Sequence, residues 1–186
     1  MSKKKIYAMM ALVIVISILG TGTLAYFTTK ALVHNVITSG GVGITLLEDF
    51  PNADEDNVLD GVMPGSTHRK AVKVRNDQEE AWIRVKVEVK VNKNLDPKML
   101  SIVYNTGDED NQWTVHEGWF YYNSPVGKGQ VTSDLFQNVS FNGEDMGNEY
   151  QNSEFTIDVS AQAVQTANNP PQVEGKVTTV EGWPKN

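Results

Sequence analysis

The sequence feature that most constrains the fold is a strict alternation of apolar and polar residues over Ala81–Val91, which reads AWIRVKVEVKV. The odd positions hold alanine, isoleucine and four valines, whereas the even positions hold Trp82 and four charged residues. Successive side chains of a β-strand point to opposite faces of its sheet. The segment therefore predicts a strand with one buried and one solvated face, which is typical of an antiparallel sheet.

A second segment, residues 155–163, alternates in the same way, with apolar residues at its odd positions and polar residues at its even ones. Shorter strand patterns, rich in β-branched and aromatic residues, occur at 43–47, 68–75, 100–104, 119–122, 131–135, 139–141 and 177–180. Such runs between turn residues indicate strands, and the sequence predicts an all-β fold.

Turn chemistry separates these segments. Pro64 followed by glycine suits a type II turn, and Asp96 before Pro97 predicts a single helical turn with Asp96 as its N-cap. Short strands joined by polar turns predict a jelly-roll-like antiparallel β-sandwich over residues 39–165. The tail, residues 166–186, is rich in Asn, Pro and Gln, and we expect it to be partly flexible.

The N-terminus has the layout of a secretory signal peptide. Three lysines at positions 3–5 precede an apolar run over residues 6–19, and small residues follow this run. We expect the run to form a hydrophobic helix and cleavage to occur between Ala25 and Tyr26, so that residues 1–25 are the signal peptide.

The alternative is an uncleaved membrane anchor. No charged residue occurs between Lys5 and Lys30, and a transmembrane helix needs roughly 20 uncharged residues. In both cases the lysines stay in the cytoplasm and the remainder faces outside. The sequence therefore predicts an extracellular or cell-surface protein exported by the Sec route, which contacts the membrane only through its N-terminal segment before cleavage, with the uncleaved anchor as the alternative.

Composition limits the partners and the chemistry. The formal net charge is -7, and three of the 16 basic residues lie at positions 3–5, so the remainder has 13 basic against 23 acidic residues. This balance argues against nucleic acid as a partner, because phosphate binding needs clustered Lys and Arg. The chain has no cysteine, which excludes disulfides, thiolate metal sites and a cysteine nucleophile.

The three histidines, His34, His68 and His116, do not form a catalytic motif. None lies in an H-E-x-x-H sequence, and no G-x-S-x-G nucleophile turn occurs. We therefore predict a protein that is not an enzyme, with no catalytic residue, no metal ligand and no cofactor.

Two binding functions, for calcium and for carbohydrate, remain as alternatives to this prediction. The acidic runs at 54–57 and 108–111 carry the hard oxygen ligands that calcium prefers, although neither has the spacing of an EF-hand. The aromatic run Trp119–Tyr122 could line a carbohydrate-binding face. Solvated loops and core packing are the simpler interpretations of these features.

Several blocks of the chain, in this order, resemble a known family. They are GTGTLAYFT at 20–28, SGGVGITL at 39–46, VMPGST at 62–67, KAVKVRN at 70–76, AWIRVKV at 81–87, GWFYY at 118–122, DLF at 134–136 and IDVSAQAVQ at 157–165. Together they are similar to the TasA/camelysin family of exported surface and biofilm-matrix proteins of Gram-positive bacteria, whose export depends on a signal peptidase of SipW type.

The resemblance implies a jelly-roll subunit that a SipW-type peptidase processes and whose partner is itself or a related matrix subunit. In fibre-forming members, an N-terminal strand of one subunit completes the sheet of the next. The candidate donor strand lies in the arm, residues 26–38, where Phe27, Ala31, Val33 and Ile37 fall on one face of the alternation. The alternatives are that this arm pairs within its own subunit or has no fixed structure.

The family resemblance also implies an alternative function. Camelysin-type proteins are classed with metallopeptidases, so a surface metallopeptidase is one alternative to a structural subunit. A membrane-anchored module that binds carbohydrate or a host surface is another, because of the uncharged N-terminal stretch and the aromatic run.

Overall fold

A computed structural model describes residues 35–39, 43–51, 59 and 62–184 of the chain. The predicted hydrophobic helix lies outside the described residues. So do the following positions named above: Ala25, Tyr26, Phe27, Ala31, Val33, His34 and the acidic run 54–57.

The described residues form nine strands in two sheets, which confirms the prediction of an all-β sandwich. The strands are β1 (Asn35–Ser39), β2 (Ile44–Asp49), β3 (Thr67–Asn76), β4 (Ala81–Val91), β5 (Leu100–Tyr104), β6 (Trp113–His116), β7 (Trp119–Tyr122), β8 (Phe136–Phe141) and β9 (Phe155–Gln165). One sheet has the order β1-β9-β4-β7-β6, and the other has the order β2-β3-β8-β5. Single turns of 3-10 helix lie at Pro97–Met99, Asn148–Tyr150, Thr166–Asn168 and Val177–Thr179.

The two segments with the strictest alternation are paired with each other along their whole length. β4 and β9 run antiparallel, with Ala81 opposite Gln165 and Val91 opposite Phe155. Ile83 of β4 and Ile157 of β9 are fully buried, as the alternation predicts. Burying one such side chain stabilises the fold by about 1.5–3 kcal/mol, so this strand pair contributes strongly to one wall of the core.

The second sheet supplies the opposite wall. Val72 and Val74 of β3, and Val139 and Phe141 of β8, are buried in the same hydrophobic cluster as the inner faces of β4 and β9. Trp113 of β6 is fully enclosed in this cluster. The core therefore lies between the two sheets, as expected for a sandwich whose inner faces interdigitate.

Pairing between the strands is antiparallel except at one edge. β1 runs parallel to β9, with Asn35 opposite Val159 and Ser39 opposite Ala163. The sequence predicted an antiparallel sandwich, and the alternation of residues contains no information on strand direction that would have shown this exception.

Two predicted strands are wrong, and one strand was missed. Residues 131–135 form no strand: Val131 makes an isolated bridge to Arg75, Thr132 and Leu135 donate backbone hydrogen bonds to β3, and a bend at 135 precedes β8. Residues 177–180 contain a 3-10 turn, and Val177 and Val180 are both buried because residues three apart share one face of such a turn. The missed strand is β6, which has only four residues.

The C-terminal tail packs on the outer face of the five-stranded sheet. Val177 and Val180 join a second hydrophobic cluster there, which also holds Tyr121 and Trp183. The Arg84 guanidinium lies between two indoles, 4.1 Å from the ring centre of Trp119 and 4.5 Å from that of Trp183. Trp183 is therefore the contact that holds the end of the described tail on the sheet.

Replacing Trp183 by alanine removes one side of this Arg84 sandwich and exposes part of the cluster. We expect Trp183→Ala to lower the free energy of unfolding by about 1–3 kcal/mol, from lost apolar burial and lost cation–π attraction. Urea unfolding followed by circular dichroism measures this. Val173→Ala, at an exposed tail position, is the control, and equal stabilities of the two variants would contradict the assigned role of Trp183.

Candidate functional site

The candidate site is the side of the sandwich where the two sheets end at β1 and β2. In the described part of the chain, β1 has a single hydrogen-bonded neighbour, β9, and it lies against β2 of the other sheet. Val159, Ala161 and Ala163 of β9 lie in the core behind it. Without β1, the backbone N–H and C=O groups on this side of β9 would be unpaired. They could then form hydrogen bonds with another strand.

Only one residue of the candidate donor set lies within the described residues. Ile37 is at the centre of β1, with Ala161 of the same chain as its register partner. β1 lies alongside Val159, Ala161 and Ala163, while β9 begins four residues earlier, at Phe155. The structure therefore shows the end of the arm paired with β9 of its own chain. It also shows which residues of β1 lie opposite which residues of β9.

A buried pair of opposite charges occupies core-facing positions of β2 and β3. Lys70 is 0% exposed, and its Nζ lies 3.5 Å from Oε1 of Glu48 and 4.7 Å from the ring centre of Phe50. β3 bulges relative to β8 between Arg69 and Val72, and Lys70 is enclosed within this bulge. Neither Lys70 Nζ nor Glu48 Oε1 has a hydrogen-bond partner among the described residues.

Burial dominates the electrostatics of this pair. Desolvation raises the pKa of Glu48 and lowers the pKa of Lys70, because an apolar surrounding disfavours each charged form. The opposite charge of the partner counteracts both shifts. Mutual attraction therefore offsets only part of the cost of burying the two charges, and loss of one partner would leave the other charge buried alone.

The alternation of β3 contained a signal for this pair that the sequence analysis did not use. Lys70 shares its side of the strand pattern with Val72 and Val74, which are buried. A lysine on an apolar face needs a partner of opposite charge, and Glu48 follows Ile44 and Leu46 on the apolar face of β2.

The structure places the two described histidines in different sheets. His68, on β3, has Nε2 2.9 Å from the hydroxyl of Ser66, and its ring meets the edge of Phe141. Burial lowers the pKa of His68 below its ordinary value. His116, on β6, is half exposed and lies 3.9 Å from Glu117. Within the described residues, no group of three or more His, Asp or Glu side chains is arranged to hold a metal ion.

The acidic run at 108–111 belongs to a loop with its own hydrogen bonds. The Asn123 amide donates to the carbonyl oxygens of Gly107 and Glu109, and its Oδ1 accepts from the Thr114 hydroxyl. These bonds order the loop from within.

The aromatic run Trp119–Tyr122 packs on both faces of its sheet. Phe120 and Tyr122 pack against the core, whereas Trp119 and Tyr121 lie in the outer cluster beneath the tail. The Tyr121 ring meets Trp183 edge-on at 5.6 Å. The run thus contributes to both hydrophobic clusters of the molecule.

The fold and this edge define an all-β, two-sheet sandwich closed on one side by a parallel strand. Protein-family models, characterised proteins and solved structures provide no match to the chain. Over the residues that the structure describes, no helix has the length and apolar character needed to cross a membrane.

Removing one member of the buried pair should cost far more than removing both. We expect Glu48→Leu to lower the free energy of unfolding by about 3–5 kcal/mol, because Lys70 stays buried without its partner. The double variant Glu48→Leu/Lys70→Met should recover most of this loss. Chemical denaturation followed by circular dichroism measures all of these variants.

The neighbouring pair on the same two strands provides a matched control. Arg69 and Asp49 are 2.7 Å apart, but both side chains are about half exposed. Arg69→Met should cost only about 0–1 kcal/mol, because water screens an exposed pair. If Glu48→Leu costs no more than Arg69→Met, the buried pair does not carry the energy assigned to it.

The lowered pKa of His68 predicts a pH dependence of stability. The unfolded chain binds more protons than the folded one between the folded pKa and the ordinary value of 6.5, so stability rises with pH in this window. Acidification below 6.5 should destabilise the protein, and His68→Gln should flatten this dependence. Unfolding midpoints across the pH range test this, with His116→Gln as the control; identical profiles for His68→Gln and the native chain would contradict it.

Proposed function

We propose that this chain is an exported structural subunit of a cell surface or biofilm matrix, without catalytic activity, that assembles with copies of itself or a related subunit by strand addition. The observation that carries the proposal is the parallel strand β1 at the edge of β9. The N-terminal signal pattern and the resemblance of the sequence blocks to the TasA/camelysin family support export to that location.

The arrangement of β1 suits exchange between subunits. Among the described strands, β1 bonds only to β9, so its replacement by β1 of another copy changes no other strand pair. An incoming strand would gain the same ladder of backbone hydrogen bonds along residues 159–163 of β9. Exchange of an identical element is an accessible route to assembly, because every native contact is kept.

The symmetry of such an exchange permits filaments as well as closed dimers and rings. The donor strand and the acceptor edge are different surfaces of one subunit, so each subunit gives its strand to the next and receives one from the previous subunit. Contacts of this head-to-tail kind form open chains unless the rotation happens to close a ring. This agrees with a role in a matrix fibre.

The connectivity supports a jelly-roll topology for the subunit. From β3 to β9 the chain passes back and forth between the two sheets, with β3, β5 and β8 in one sheet and β4, the β6–β7 hairpin and β9 in the other. Two sheets interleaved in this way along the chain are the arrangement found in jelly rolls.

Paired cysteines can determine whether β1 bonds within or between subunits, because the native chain has no cysteine. In an Ile37→Cys/Ala161→Cys variant of the exported protein, the two thiols are at opposed register positions. We expect oxidation to produce a ladder of covalent multimers on non-reducing gels. A variant with Ile37→Cys and Ser160→Cys, one register position away, should cross-link much less.

The opposite result is equally clear. Intrachain disulfides in monomers, with no multimers at any protein concentration, would show that the arm completes its own subunit. Light scattering on the native exported protein should then give a monomer mass, and assembly through β1 would be refuted.

A further inference from the structure

The opposite side of the sandwich ends at an edge strand that lacks the usual protection. In the described part of the chain, the four-stranded sheet ends at β5, which reads LSIVY and contains neither a charged residue nor a proline. Its register irregularity with β8 adds the extra residue to β8, so β5 itself has no bulge. Natural edge strands usually carry charges, prolines or bulges that prevent pairing with other chains.

β5 also carries the most exposed of the large hydrophobic residues described. Val103 is 84% exposed and is the fourth of the five residues of this open edge, flanked by Ile102 and Tyr104, which are half-buried. A solvent-exposed valine on an uncharged edge strand favours the addition of another strand, since pairing buries the valine and completes the backbone ladder.

The surface beside β5 is neutral, although the chain is acidic. A groove of about 780 Å³ runs along the outer face of β8 next to β5, and its charged lining residues are one cation, Lys73, and one anion, Asp134. The remaining lining residues are polar or apolar and uncharged. A net charge of -7 opposes self-association in general, and this patch avoids that repulsion.

The other edges differ in this respect. β2 ends in Glu48 and Asp49, and β6 is followed directly by Glu117. The fourth edge, β1, belongs to the proposed assembly site. β6 itself also contains no Asp, Glu, Lys, Arg or Pro, but its Val115 is 54% exposed against 84% for Val103, so β5 is the more open edge for contact with a second acidic copy.

We infer that β5 is a second self-association surface, at which β5 of one copy pairs antiparallel with β5 of another about a twofold axis. A twofold interface uses the same patch on both copies, so the patch must be self-complementary. The backbone of an edge strand is self-complementary, because it carries both donors and acceptors of hydrogen bonds. The charges beside it, Lys73 and Asp134, are also self-complementary, because each copy has one cation and one anion. The two four-stranded sheets then join into one sheet of eight strands.

This surface is independent of the exchange proposed for β1. β1 and β2 contact each other on one side of the sandwich, whereas β5 and β6 lie on the other, where Thr106 bridges to Trp113. Both contacts can form at once, so pairing at β5 would join neighbouring filaments side by side. If β1 pairs only in its own chain, the same surface would produce a simple dimer.

A single cysteine tests the inference in the full exported protein. In Val103→Cys the only thiol of each chain lies on the strand that forms the predicted interface, and a short bismaleimide should link it to a second copy as a covalent dimer. Val115→Cys is the matched control, because Val115 is 54% exposed on β6, an edge strand of the other sheet. We expect cross-linking at least tenfold faster at position 103, and equal rates would overturn the inference.

A second variant tests the contact without covalent cross-linking. Val103→Lys places a charge on the open edge, and in light scattering it should weaken side-by-side association at least tenfold while the unfolding midpoint stays unchanged. Undiminished association would refute the role of β5. Cross-linking between cysteines at positions 37 and 161 should be the same with and without Val103→Lys, so failure of one interface can be told from failure of the other.

Discussion

The pairing of β4 with β9 is the constraint on which the rest of the structure depends. Eleven residues of each strand are in continuous register, and each strand has a second neighbour on its other side, β7 for β4 and β1 for β9. A slip of β4 by one residue relative to β9 would turn Ile83 outward and bring Arg84 into the core. The alternation therefore fixes the register, and the register in turn places both the outer cluster and the edge where β1 binds.

The outer face of this pair shows how charged residues become part of the packing. Gln162 accepts two hydrogen bonds from Arg84, and the Tyr121 hydroxyl lies 3.1 Å from a third guanidinium nitrogen. Two tryptophans enclose the same guanidinium. Arg84 thus joins β4, β7 and β9 to the tail. In the sequence it is one of four charged residues on the strand face that is predicted to be solvated. The distinction depends on what covers the face, and part of that cover is Trp183 of the tail, which lies 99 residues further along the chain.

The two sides of the sandwich differ in ways that matter for assembly. One side holds a strand that is bonded to a single neighbour, with a buried ion pair in the adjacent strands β2 and β3. The other side holds β5, an edge without charges. Backbone groups at sheet edges seek partners wherever charge and sterics permit. In the assembly that we propose, the exchangeable strand on one side would provide contacts along a filament, and the unprotected edge on the other side would provide contacts between filaments.

The sequence by itself determined the class of fold and its two central strands, because a period of two residues over Ala81–Val91 has only one structural interpretation. It also marked Asp96 as the cap of a helical turn, and the Asp96 side chain accepts a hydrogen bond from the Lys98 backbone. Only the tertiary structure decided that β1 is parallel to β9 and that Lys70 is enclosed against Glu48. Strand direction and partner choice depend on how distant segments meet, and local alternation reports only which side of a segment is buried.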